Sequence, residues 1–175
     1  MSTQTSQQNL KELYQKDFYL WIQKNLEFLK SKNFDAVDWN NLIEELEDMG
    51  RRYTDSLISF MTIILEHLYK WEHFKFHEKI GNNWIHSIIY ARNEIFDLID
   101  RHPSLKNKSS EFLETAWKSA VRRLIAWFEK PENIKLAKKI FGKIPTEKDF
   151  PSQCPYTLQQ ILHYEPWMEE FNKID

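Results

Sequence analysis

An all-α fold, a compact bundle of about four main helices with short helices toward the C-terminus, is what this chain predicts, on three observations. Breakers are scarce: three Gly and six Pro in 175 residues, most of them where an element has to end. Apolar residues recur at steps of three and four over long stretches. Strand-like alternation is nowhere sustained. With 42% hydrophobic and 15% aromatic residues the chain has the material for a sizeable core. Residues 1–175 read as one domain, with 1–9 flexible and 143–156 a loop.

The first helix follows from Leu10, Tyr14, Phe18, Trp21, Ile22 and Phe28, which keep one face from Leu10 to Leu29. Asp38 has the chemistry of an N-cap. After it Leu42, Leu46, Met49, Tyr53, Leu57, Phe60, Ile64, Leu68 and Trp71 stay in register, so one helix is expected near 39–73. Gly50 then lies on or beside the buried stripe and admits a close neighbour. The other reading makes Gly50 a stop, with Arg51 opening a new helix.

A break is expected around 79–83, in IGNN. Trp84, Ile88, Ile95 and Ile99 begin a third stripe, which His102-Pro103 ends because the residue before proline avoids the helical region. Pro103 suits the first turn of a fourth helix, which runs to about Glu129 through Phe112, Ala116, Leu124 and Trp127. A fifth, Pro131 to Phe141, closes at Gly142. The loop KIPTEKDFPSQCP leads to a last short helix at 157–163.

The stretch WNNLIEELEDMGR crowds Glu44, Glu45, Glu47 and Asp48 beside the expected buried row Leu42, Leu46 and Met49. Glu47 and Asp48 precede Arg51 and Arg52 by four residues, the favourable order for helical ion pairs. A solvated, self-paired face is one reading. The other joins the cluster to His67 in a site between helices. Glu45 and His67 are 22 residues apart, about 33 Å along one helix, so a partner helix has to bring the ligands together. Asp17, between Tyr14 and Trp21, falls on the apolar face and needs a partner there; Arg51, Arg92 and His67 are the candidates. It either fixes helix register or moves a proton. The enzymatic or metal-binding reading thus gathers Asp17, Glu45, His67 and Arg92.

His73 and His77 have the i, i+4 spacing that can pinch a metal, without an evident third ligand. Residues 118–148 hold nine Lys or Arg against three Glu, a net of +6. Arg122, Arg123, Lys135, Lys138 and Lys139 are therefore either an ordinary basic face or a surface for an anionic partner such as nucleic acid. The net charge of the whole chain, −2, gives no comparable signal. Cys154, the single cysteine, excludes an intrachain disulfide and reads as a buried or capping residue. No phosphate-loop, dinucleotide, hydrolase-elbow or zinc-protease motif occurs. No run has the length of a signal peptide core or a membrane span, which suits a soluble, cytoplasmic chain.

Several segments together resemble a known family: YQKDFYLWIQKNLEFL, DWNNLIEELEDMGR, LEHLYKW, NNWIHSIIYARNEI, HPSLK and FPSQCPYTLQQIL. Their order and spacing are similar to the bacterial, mainly cyanobacterial, family catalogued as domain of unknown function 29, over about residues 14–165. The positions that match include Asp17, Trp21, Glu44, Glu45, Gly50, Arg51, His67, Lys70, Trp71, Trp84, Arg92 and Cys154-Pro155-Tyr156. The resemblance implies an all-helical fold and carries over no activity, substrate or cofactor. EHFKFHEK, with His73 and His77, and the lysine-rich stretch 127–148 depart from the family's pattern. The expectation is a non-enzymatic protein-interaction module without a cofactor, its partner a protein or a second copy. A site around Asp17, Glu45, His67 and Arg92 and nucleic-acid binding through 118–148 are the alternatives. No membrane partner is expected.

Overall fold

The computed structural model describes residues 10–75 and 81–168. Its α-helices are α1 (Phe18–Lys30), α2 (Trp39–Phe74), α3 (Asn82–Arg101), α4 (Ser104–Lys108), α5 (Leu113–Glu129), α6 (Ile134–Phe141) and α7 (Leu158–His163). Residues 10–16 are helical as well, and no strand occurs among the described residues, so the fold is all-α. Three 3-10 turns interrupt the connections, at Phe34–Ala36, Ser109–Phe112 and Glu147–Asp149; the last lies inside the expected 143–156 loop. No helix among the described residues is long and apolar enough to cross a membrane. The chain divides into two units, Met1–Arg52 and Tyr53–Asp175, taken in turn.

In the first unit the expected Leu10–Leu29 helix is broken at Asp17. Aspartate competes with the helix for its own backbone and is favoured at caps. Here its carboxylate accepts the Leu20 N–H at 3.0 Å and opens α1. Asp17 is exposed, so the expectation of a buried carboxylate on an apolar face is corrected. The rings of Tyr14, Phe18 and Trp21 still gather across the break, with centroids 5.0 to 5.8 Å apart.

Trp21 is 1% exposed, and its indole N–H needs an acceptor once buried. Asp38 supplies it, at 3.1 Å. Asn25 completes the knot: its side-chain oxygen accepts the Asp38 N–H at 2.9 Å and its amide donates to the Trp21 carbonyl at 2.9 Å. The Asn41 amide adds a bond to the Asp38 carboxylate at 2.7 Å. Asp38 stands directly before α2, where its carbonyl accepts the Leu42 N–H.

The helix α2 runs without a stop through Gly50. The expected close approach at Gly50 is not found: the residue is exposed, and a Cβ there would meet nothing within 4 Å. The expected buried row is corrected too, since Leu46 is 59% and Met49 50% exposed. Apolar spacing marks one face of a helix as apolar; it does not supply a neighbour to cover it.

In the second unit that neighbour is present. Leu57, Met61, Ile64, Leu65 and Leu68 are fully buried, packed with Ile88, Ala91 and Ile95 from α3 and with Ala116, Trp117, Ala120, Leu124 and Phe128 from α5. Ala116 and Ala120 leave room for α2 to come close enough for the Thr62 hydroxyl to donate to the Ala116 carbonyl, at 3.3 Å. Around Phe74 gather Tyr69, Trp127, Phe128 and Phe141. Gly81 precedes α3 with φ +124°, and a Cβ there would lie 2.6 Å from the Trp71 ring, so here glycine is required. The third helix ends before Pro103 as expected. The single fourth helix is instead divided into α4, a 3-10 turn and α5. At that step the Ser109 hydroxyl donates back to the Leu105 carbonyl at 2.9 Å, the local competition that loosens helices at serine. The fifth helix starts at Ile134, later than Pro131, and closes on Gly142 at φ +70°.

Gly50 stands open in a helix interior, so Gly50→Ala is expected to raise stability by about 1 kcal/mol. Urea unfolding of the two proteins measures it; a loss of stability would show that the position has a neighbour.

Candidate functional site

Burial of charge singles out one place in the second unit. On α2 the sequence IILEHLYKW sets Glu66 and Lys70 one turn apart within an otherwise apolar run. The Lys70 side chain is 4% exposed and that of Glu66 11%. Such a pair must satisfy itself, and the ammonium donates to the carboxylate at 2.5 Å. Arg123 from α5 approaches the other Glu66 oxygen at 3.5 Å. The Trp127 ring lies 4.7 Å from the Lys70 ammonium, a cation–π contact that is strong where water is scarce. Burial pushes the Lys70 ammonium below its ordinary value, and Glu66 pushes it back up.

His67 sits beside this pair with its Nδ1 buried and without a hydrogen-bond partner among the described residues. Its pKa falls to about 4, chiefly through burial, with Lys70 and Arg123 adding to the effect and Glu66 opposing it. The imidazole is therefore neutral at pH 7. Glu66, His67, Lys70, Arg123, Trp127 and Lys130 line an open groove of about 480 Å³.

The other residues singled out from the sequence lie elsewhere. In the first unit Asp17 caps α1, and Glu45 accepts the Tyr14 hydroxyl at 2.7 Å; that bond raises Tyr14 to about 12. In the second unit Arg92 is buried and does not line the His67 groove. Its guanidinium donates to the carbonyls of Ile161, Tyr164 and Gln160 at 2.8, 2.7 and 3.3 Å. Those carbonyls lie at and just past the end of α7, where few intrahelical partners remain, and Arg92 serves as their cap, sharing Gln160 with the Tyr164 N–H. His73 is exposed beside the Tyr69 ring, and His77 lies outside the described residues. No three His, Cys, Asp or Glu side chains among the described residues come together as a metal ion needs. Cys154 is half-buried; burial pushes its thiol up to about 11, which leaves it protonated and inert at neutral pH. Lys135, Lys138 and Lys139 are exposed on α6. Arg122 and Arg123, neighbours on α5, separate: Arg123 joins Glu66, while Arg122 lines a different cleft with Lys118 and Lys148.

Residues 13–167 match the family model described as "Domain of unknown function DUF29". The chain belongs to this family. No curated protein and no solved structure matches it. In this DUF29 chain the sequence singles out His67 and gives less prominence to the Glu66–Lys70 pair beside it. The available signal was two opposite charges at i, i+4 on the buried side of a helix.

Two outcomes follow from the groove. Glu66→Leu strands a buried ammonium and is expected to cost about 3–5 kcal/mol, whereas Glu66→Leu with Lys70→Met recovers most of that; a double-mutant cycle by urea unfolding measures the coupling. His67 has a folded-state pKa below its unfolded value, so it contributes stability that is complete above about pH 6.5 and is lost as pH falls toward 4. The loss is at most about 3 kcal/mol. Across that window the stability of wild type relative to His67→Leu should fall as the pH drops, whichever is the more stable at pH 7; parallel curves would contradict it.

Proposed function

We propose that this protein acts by association rather than catalysis, and that the first unit pairs with a second copy of the chain through the open face of α2. One observation supports this most directly. Ten of the seventeen exposed large apolar side chains, including Trp39, Ile43, Leu46 and Met49, lie in the described part of the first unit, against four buried apolar ones there. A segment with so little interior of its own gains by covering that surface.

Charge favours a second copy as the cover. Leu42, Leu46 and Met49 recur at steps of four and three, the spacing of a two-helix seam. The carboxylates Glu44, Glu45, Glu47 and Asp48 occupy the N-terminal part of this face, and Arg51 and Arg52 follow. Glu45 and Arg52, seven residues apart, flank the row on one side. Within its own helix Arg51 pairs with Glu47 and Asp48; an antiparallel copy adds to this by setting the acidic part of each helix beside the arginines of the other, about a two-fold axis near residue 48. The Tyr14 hydroxyl occupies one lone pair of Glu45 and leaves others for an arginine.

Sedimentation velocity tests the reading. Wild type is expected to sediment as a dimer with a concentration-dependent monomer fraction. Leu46→Glu with Met49→Lys should sediment as a monomer with an unchanged far-ultraviolet dichroism spectrum. A wild-type protein that stays monomeric at every concentration, or a double variant that still dimerises, would overturn it.

A further inference from the structure

A second cleft in the second unit has features that neither the association reading nor the Glu66 groove uses. Lys118, Val121 and Arg122 lie at i, i+3 and i+4 on α5 and share one face. Opposite them runs the segment through the Glu147–Asp149 turn, which brings Lys148, Phe150 and Pro151. The space between is about 460 Å³, within the range of small-ligand sites.

The segment is held in place rather than draped. The Trp117 indole donates to the Pro151 carbonyl at 2.8 Å. Phe150 is buried against Tyr69 and Phe141. Asp149 accepts from the Thr146 N–H at 2.8 Å and pairs with Lys143 at 3.0 Å; the Thr146 bond, with help from Lys143, holds its carboxyl down to about 2.

The charges in the cleft are unequal. Lys118, Arg122 and Lys148 line it, and none has a hydrogen bond or ion pair among the described residues. Glu147 is the one carboxylate in the lining. Three unpaired cations facing one acid leave a net of +2 beside the apolar surface of Val121, Phe150 and Pro151. Lys143, the nearest other cation in the segment, is already used by Asp149.

We infer that this cleft binds a small phosphate monoester carried on an apolar or aromatic body, with Lys118, Arg122 and Lys148 around the phosphate and Val121, Phe150 and Pro151 against the body. The charge selects a dianion, which a phosphate monoester approaches at pH 7 and a single carboxylate does not. Arg122 offers the planar fork that grips two phosphate oxygens at once. Inorganic phosphate meets the charge but leaves the apolar floor wet.

The probe is phenyl phosphate, titrated by isotope-edited NMR or calorimetry into the full chain in physiological salt, with inorganic phosphate and benzoate as the two half-ligands. Saturable binding at least tenfold tighter than either half is expected. Arg122→Ala should weaken it about tenfold and Lys148→Ala several-fold; both residues are exposed, so folding is spared. Lys135→Ala, on α6 outside the cleft, should leave it unchanged. Adenosine 5′-monophosphate and O-phosphotyrosine distinguish a nucleotide source from a phosphorylated amino acid, and either one binding above inorganic phosphate supports the site. Inorganic phosphate binding as tightly as phenyl phosphate would overturn it, as would equal losses in Lys135→Ala and Arg122→Ala, the mark of a diffuse basic field.

Discussion

Lys70 places a formal charge on the buried side of α2, and the surroundings of that ammonium constrain much of what lies near it. Its side chain is only 4% exposed, at the wall of the groove, so contacts with the protein have to take the place of most of its water. Glu66 must then stay within reach of it, and α5 must lie close enough to bring both the Arg123 guanidinium and the Trp127 ring. Trp127 in turn stacks on Phe74 and meets Trp84 edge-to-face. Replacing the pair by apolar groups of similar volume need not weaken such a core. What the pair contributes is position: few other placements of α5 against α2 satisfy the charge.

Much of this architecture was legible in the sequence. The three-and-four spacing from Leu57 to Trp71 gave both the helix and its buried side, because a neighbour exists there to use it. Pro103 and Gly142 sit where their backbone chemistry requires an end. The same spacing from Leu42 to Met49 gave the helix correctly and its burial incorrectly. Periodicity is a property of one element, whereas burial belongs to two.

Single polar residues were harder to read for a related reason. Asp17 has the same sequence neighbours whether it faces a core or caps a helix, and the cap satisfies its oxygen locally at no cost in burial. The Arg92 guanidinium donates to carbonyls at the end of α7, almost seventy residues away, a pairing no local pattern announces. The basic stretch 118–148 divided in the fold along lines its composition could not show: neighbouring arginines turn to different sides of α5, one to a buried carboxylate and one to an open cleft.

The hydrogen bond from the Trp117 indole to the Pro151 carbonyl joins residues 34 apart in sequence. Everything between them, including the last turns of α5 and the whole of α6, is a closed excursion of the chain whose far end is tied at that point. Closing so long a loop costs entropy that grows only slowly with its length, so the connection after Gly142 can lengthen or shorten at little cost to the closure. The α5 part of the excursion is fixed by Ala120, Leu124 and Phe128, all fully buried, whereas the stretch from Gly142 to Pro151 can open before the rest of the fold does. Solvent exchange of that one indole proton therefore times the detachment of the segment separately from global unfolding.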